Sequence, residues 1–95
     1  MYARVTNTQV VVDKIDEAVS IWKDKLAPRL KQAKGFKGVY VMGDRETGKG
    51  ISITLWETKE DADATLAMQP QSLALFEGLL SGSPSVDTYE VVFQV

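Results

Sequence analysis

Two clusters in the middle of the chain have residue types and spacing that could do chemistry. The first, Gly43-Asp44-Arg45-Glu46-Thr47-Gly48-Lys49, approaches the phosphate-loop pattern of glycine, four residues, Gly-Lys, then Ser or Thr. The last position is Gly50, so the hydroxyl that would ligate magnesium is missing. Context decides further: a phosphate loop opens a helix whose N-terminal amides hold the anion, whereas here Ile51-Ser52-Ile53-Thr54-Leu55-Trp56 follows, a strand by composition. The segment reads as a hairpin turn, with Gly48 and Gly50 permitting its backbone angles. The second cluster is that strand itself. Ser52, Thr54 and Trp56 share one face by period two. Hydroxyls beside an indole suit the wall of a pocket, where Trp56 could stack on a planar ligand and donate its N–H. The plainer reading is a half-wet strand ending in a bulky core residue, because Trp is usually largely buried in any case.

Other candidates lie on neighbouring segments. Asn7 is a polar residue in an N-terminal strand expected to be central, where a buried polar group needs a partner. It could orient a substrate oxygen or bond the adjacent backbone. The strand's register is open, so either Asn7 or its neighbours Thr6 and Thr8 face a cavity. Tyr40 and Tyr89 could exchange protons with a ligand, or simply pack. Arg4 and Arg29 could hold an anionic or phenolate ligand, or stay solvated and ion-paired. Glu57, Glu60, Asp61 and Asp63 gather at a helix start, where the helix dipole explains them, and no metal site is expected. The chain has neither histidine nor cysteine. That removes the commonest general base, the usual zinc, copper and haem ligands, and all thiol chemistry.

The elements that must position these residues follow from pattern. The chain has 95 residues, which suits one domain over 1–95. Tyr2 to Val12 reads as a strand, and Asp13 as the cap of a helix whose stripe is Ile15, Val19, Trp22, Leu26, Leu30 and Ala33. Pro28 should kink that helix, and Gly35 should end it. Phe36–Asp44 and Gly50–Thr58 are the second and third strands. Thr58 should cap a helix through Met68, with Asp61 as its partner. Pro70 then interrupts, and a shorter helix runs from Gln71 to Leu80. After the loop Ser81–Ser85, a last strand runs from Val86 to Val95. The order is β-α-β-β-α-β with the second helix split in two: an α+β, ferredoxin-like, four-stranded antiparallel sheet. The first and third strands are expected side by side in the middle and parallel.

Helices on one side leave the other sheet face bare. Phe36, Tyr40 and Met42 are expected on one side of the second strand, and Val39 and Val41 on the other. Ile51, Ile53 and Leu55 oppose Ser52, Thr54 and Trp56. Apolar surface therefore remains outside whichever set turns inward, and such a face marks an interface. A homodimer packed sheet to sheet is the simplest resolution. The net charge of -2 advertises no nucleic acid or anionic membrane. No apolar run approaches the roughly 20 residues of a membrane span. The start, MYARVTNTQVVV, lacks the features of a signal peptide. A soluble cytoplasmic protein is the expectation.

Three stretches together resemble the antibiotic biosynthesis monooxygenase family of the dimeric α+β barrel superfamily: APRLKQAKGFKGVYVM, LWETKEDA from Leu55 to Ala62, and the terminal YEVVFQV. The resemblance covers most of the chain. It implies a homodimer with a small cavity between sheet and helices in each subunit. Some members oxidise polycyclic phenols with oxygen and no cofactor; others degrade haem or quinols. This chain is similar to the cofactor-free type at Trp56. It has Ser52 where that type carries asparagine, and Thr65 where many relatives carry a helix histidine. The residue readings and the resemblance together give Trp56 and Asn7 as catalytic candidates, and Ser52, Thr54, Tyr40, Tyr89 and Thr65 as ligand-binding ones. Haem degradation needs a histidine ligand, which this chain lacks. The expected function is cofactor-independent oxidation of an aromatic phenol or quinol, with a non-catalytic dimeric module for a small hydrophobic ligand as the alternative.

Overall fold

A computed structural model describes residues 1–95. Its strands are β1 (Tyr2–Gln9), β2 (Phe36–Gly43), β3 (Lys49–Trp56) and β4 (Ser85–Glu90). They form one antiparallel sheet in the order β2-β3-β1-β4. Between β1 and β2 lie α1 (Ile15–Ile21) and α2 (Ala27–Lys31); between β3 and β4 lie α3 (Lys59–Ala64) and α4 (Gln69–Ala74). This is the ferredoxin-like α+β arrangement anticipated from the order of elements. One part of that expectation is corrected. β1 and β3 are neighbours but antiparallel, in register from Tyr2↔Trp56 to Gln9↔Lys49. The helical crossover makes β1 and β2 parallel, and the tight β2–β3 turn reverses the chain, so β3 must run against β1.

Pro28 has an unusual local solution. Residues Trp22–Leu26 form a π-helical turn in which the Ala27 N–H reaches back to the Trp22 carbonyl. In a regular helix the Pro28 ring would press on the Asp24 carbonyl and leave it without a donor. One extra residue in the turn relieves that contact, and α1 passes into α2 by widening. Asp13 does not cap: it lies in a 3-10 turn, Val12–Lys14, and no side chain caps α1. Thr58 does cap α3, its Oγ1 accepting from the Asp61 N–H at 3.1 Å. Pro70 stands in the first turn of α4, where its missing N–H costs nothing, so it opens a helix. That helix stops at Ala74, short of the expected Leu80, yet Phe76 and Leu79 still reach the core from the following turn. The Gly43–Lys49 segment is a hairpin turn. Asp44 Oδ1 accepts from the Glu46 and Thr47 N–H groups, which hold its carboxyl below the ordinary range.

Register sorts the sheet's two faces. Ser52, Thr54 and Trp56 turn toward the helices and are buried, while Ile51, Ile53 and Leu55 lie on the bare face. A bulge between Phe36 and Gly38 shifts the phase of β2. Phe36 therefore pairs inward with Trp56, not outward with Tyr40 and Met42 as simple alternation suggests. Inside, Ala18, Leu26, Phe76 and Leu79 form a small cluster, with Trp22 tilted against Phe76 at 6.3 Å between ring centroids. Only 11 of 95 residues are buried, so the chain's own core is thin. β4 ends at Glu90, not Val95. The Val91 N–H bonds the Met1 carbonyl, and beyond it Val92, Phe93 and Val95 are exposed.

Gly35 joins the first helical passage to β2 at φ +80°, and a β-carbon there would collide with the Asp61 carboxylate. Gly78 has φ +82° but open space around it. Gly78→Ala should cost about 1–2 kcal/mol for the left-handed backbone alone. Gly35→Ala should cost more, read as the larger drop in urea unfolding free energy.

Candidate functional site

A cavity of ≈ 340 Å³ separates the inner sheet face from the helices. The antiparallel β1–β3 register builds its floor. Arg4 lies beside Thr54, and Thr6 beside Ser52, so two adjacent strands present four polar side chains as one patch. Thr8 extends it. The opposite wall is mainly apolar: Ala18, Trp22 and Leu26 come from the first helical passage, Met68 and Phe76 from the second, with Arg29, Gln69 and Ser72 also on that side. A polar floor under an apolar roof can orient a planar organic ligand by its oxygens and cover its ring.

Arg4 is the electrostatic centre. It is 9% exposed and is the only charged residue that the fold buries. Nη1 donates to the Thr65 hydroxyl at 2.5 Å, and Nη2 to the Thr88 hydroxyl at 3.4 Å. Asp63 stands 3.8 Å from Nη2. Nε is buried with no acceptor. Burial lowers the pKa of Arg4 and Asp63 partly raises it back; a guanidinium remains charged under any ordinary condition. The hydroxyls of Thr6 and Ser52 take part in none of the chain's side-chain hydrogen bonds and are open to a ligand.

The residues anticipated from sequence divide into three groups. Ser52 and Thr54 are in the floor, and Thr65 is at its edge. Thr65 is already engaged, accepting from Arg4 and donating to the Ala62 carbonyl at 2.7 Å. Trp56 backs the cavity but has 0% exposure; its Nε1–H donates to Thr54 Oγ1 at 2.9 Å and its ring meets Phe36 edge-on at 5.6 Å. The indole is a fixed wall whose N–H is already engaged by Thr54, not the free donor considered from sequence. Asn7, Tyr40 and Tyr89 are not in the cavity. Each pairs through the ladder with a bare-face residue (Ile51, Ile53 and Ala3 respectively), and Tyr40 and Tyr89 are 63% and 56% exposed. Strand one shows its even-numbered residues inward, so Thr6 and Thr8 occupy the place considered for Asn7. Arg4 was legible as an anion binder by type, but its burial was not. The signal was its even position in a strand whose next two even residues, Thr6 and Thr8, are threonines.

No protein-family model matches the sequence. Two uncharacterized Mycobacterium tuberculosis proteins, Rv2557 and Rv2558, are 29% and 25% identical over 91 residues, 96% of this chain. The chain spans 41% and 39% of their lengths. Among solved structures, the Streptomyces coelicolor monooxygenase ActVA-Orf6, in complex with nanaomycin D, superposes with a TM-score of 0.78 at 14% identity, over 99% of this chain and 89% of that one. An antibiotic biosynthesis monooxygenase gives 0.76 at 15%, over 97% and 99%. The M. tuberculosis haem degrader MhuD, with two haems in its active site, gives 0.75 at 21%, over 100% and 99%. The chain has the antibiotic biosynthesis monooxygenase fold.

The Trp56–Thr54 bond can be tested alone. Thr54→Val leaves the buried indole N–H without an acceptor and should cost about 1–3 kcal/mol. Replacing Trp56 by Phe should cost less in the Thr54→Val background than in the wild type. Urea denaturation of the four proteins gives the coupling.

Proposed function

We propose that the chain is a small oxygenase that takes a planar, electron-rich phenol or quinol between sheet and helices and works without metal or organic cofactor. The observation that carries this reading is the cavity itself, with ligand oxygens addressed by Ser52, Thr6 and Arg4 and the ring covered by Trp22, Leu26 and Phe76. The fold it shares with ActVA-Orf6 supports the same reading. In such a reaction the phenol loses a proton, and its carbanion passes an electron to dioxygen. The protein contributes orientation, exclusion of water and stabilisation of the anion. Haem does not fit this site. The chain has no histidine or cysteine, and neither Tyr40 nor Tyr89 lies on the cavity side of the sheet. No histidine, cysteine or tyrosine therefore lines the walls, and the methionine that does, Met68, is of a type that ligates haem iron paired with histidine.

A second reading, a non-catalytic module binding a small hydrophobic ligand, is favoured by one observation: the cavity floor holds hydroxyls and a guanidinium but no free carboxylate or imidazole. Oxygen-electrode measurements with anthrones, naphthols and hydroquinones separate the two. The oxygenase reading expects uptake with at least one compound, reduced in Ser52→Val. Tight binding with no uptake across the panel selects the module.

We further propose a homodimer through the bare face. Ile51, Ile53, Leu55, Tyr40 and Met42 form an apolar surface there, and the exposed Val92, Phe93 and Val95 follow the end of β4. The thin core supports the need for such burial. Sedimentation should give a dimer at micromolar concentration, and Ile53→Asp, in the middle of the face, should give a monomer. A wild-type monomer would exclude this assembly.

A further inference from the structure

The partners of Arg4 do not account for its burial. Its contacts to Thr65 and Thr88 are to neutral hydroxyls, and its Nε–H has none. Asp63 is 3.8 Å away with its side chain 46% exposed, so water screens the pair. From β3 Arg4 is faced by Thr54, from β4 by Thr88, and from the α3 side by Asp63 and Thr65. Asp63 is the one charge acting on it. A buried cation held mainly by hydroxyls is costly, and a residue with only packing to do here would be aliphatic. Nε and Nη2 together form the side-on edge by which a guanidinium grips paired oxygens. That edge has the poorest partners. Apolar walls above it leave its field little screened.

The geometry points to Arg4 as the anion receptor of the cavity: it takes a phenol or enolisable ketone as the conjugate base, and so stands in for the base that a chain without histidine lacks. This rests on the reading of the cavity as a phenol or quinol site. In the step concerned, the ligand O–H bond breaks, its electron pair stays on the oxygen at the guanidinium, and the proton leaves to water. Arg4 stabilises the product of that ionisation and accepts no proton itself. The preferred ligands are thus acidic, ring-bearing hydroxyl compounds; their methyl ethers, which cannot ionise, should bind more weakly.

Absorbance titration of 4-nitro-1-naphthol on the full chain tests this, because its phenol and phenolate differ in colour. The bound probe should ionise about one pH unit or more below the free probe, equivalent to about tenfold tighter binding of the phenolate. Arg4→Gln should abolish the shift, and Arg4→Lys should keep part of it. A probe that binds the wild type with unchanged ionisation overturns the assignment and leaves the cavity reading standing. A shift undiminished in both variants also overturns it. A chain that binds neither the naphthol nor its methyl ether overturns the cavity reading and the assignment together. The wild-type ionisation and the lysine variant keep the test decisive where Arg4→Gln does not fold.

Discussion

The pairing of β1 with β3 fixes everything else in this molecule. Side chains alternate across a strand, so a slip of one residue would exchange the two faces completely. In the observed register Arg4, Thr6, Ser52, Thr54 and Trp56 turn toward the helices, and Val5, Asn7, Ile51, Ile53 and Leu55 turn away. Hydrophobic burial within one chain would favour the opposite choice, since the outward set is the more apolar. What holds the observed register is local and specific. Trp56 is wholly enclosed, its ring against Phe36 and its N–H on Thr54. A bulge in β2 brings Phe36 to the inner side to meet it. Burying a Trp side chain removes more apolar surface than burying any single one of the half-buried aliphatics.

The inverted sheet has two costs, and they point in different directions. Polar groups inside must find partners, and those of the central strands do so only in part. Thr54 serves Trp56, Arg4 reaches Thr65 and Thr88, while Thr6, Ser52 and the Arg4 Nε–H are left over. Apolar groups outside stay incompletely covered: Val5, Ile51, Ile53 and Leu55 are half-buried, and Tyr40 and Met42 are exposed. Polar groups left open in a cavity support the proposed ligand within, and apolar groups left on a face support the proposed partner without. The cavity reading and the dimer reading are separate consequences of a single choice of register.

Much of the fold was legible because it rests on short-range signals. Alternation in Ile51–Trp56 and the Thr58 cap each act within a few residues and appear where expected, whereas the helix ends at Lys31 and Gly35 instead turns the chain into β2. The parallel orientation of β1 and β3 failed because adjacency in a sheet does not set direction; the β2–β3 turn does. The candidate site was legible only by halves. Ser52 and Thr54 were reachable from β3, whose phase Trp56 sets. Asn7, Tyr40 and Tyr89 were chosen by residue type, and their strands' phases depend on pairing partners distant in sequence. The Phe36–Gly38 bulge shows why: an extra residue changes the face of all that follows, and nothing in Phe-Lys-Gly announces it.

Arg4 also ties the two layers together. Its bond to Thr65 and its contact with Asp63 run from the central strand to the end of α3 and the turn that follows it, across the edge of the cavity. The other ion pairs lie outside: Arg45 with Asp16, Lys37 with Glu57, and Lys14 with Glu17 within the first helical region. A fastener and a receptor make different demands on a guanidinium. The fastener uses Nη1 on Thr65, while the receptor needs the side-on edge of Nε and Nη2, whose contacts with Thr88 and Asp63 are long. Five N–H donors arranged in a fixed fork allow both at once; the three donors of a lysine, converging on one nitrogen, do not. The position calls for arginine because the same side chain must hold the roof in place and still present an unmet donor beneath it.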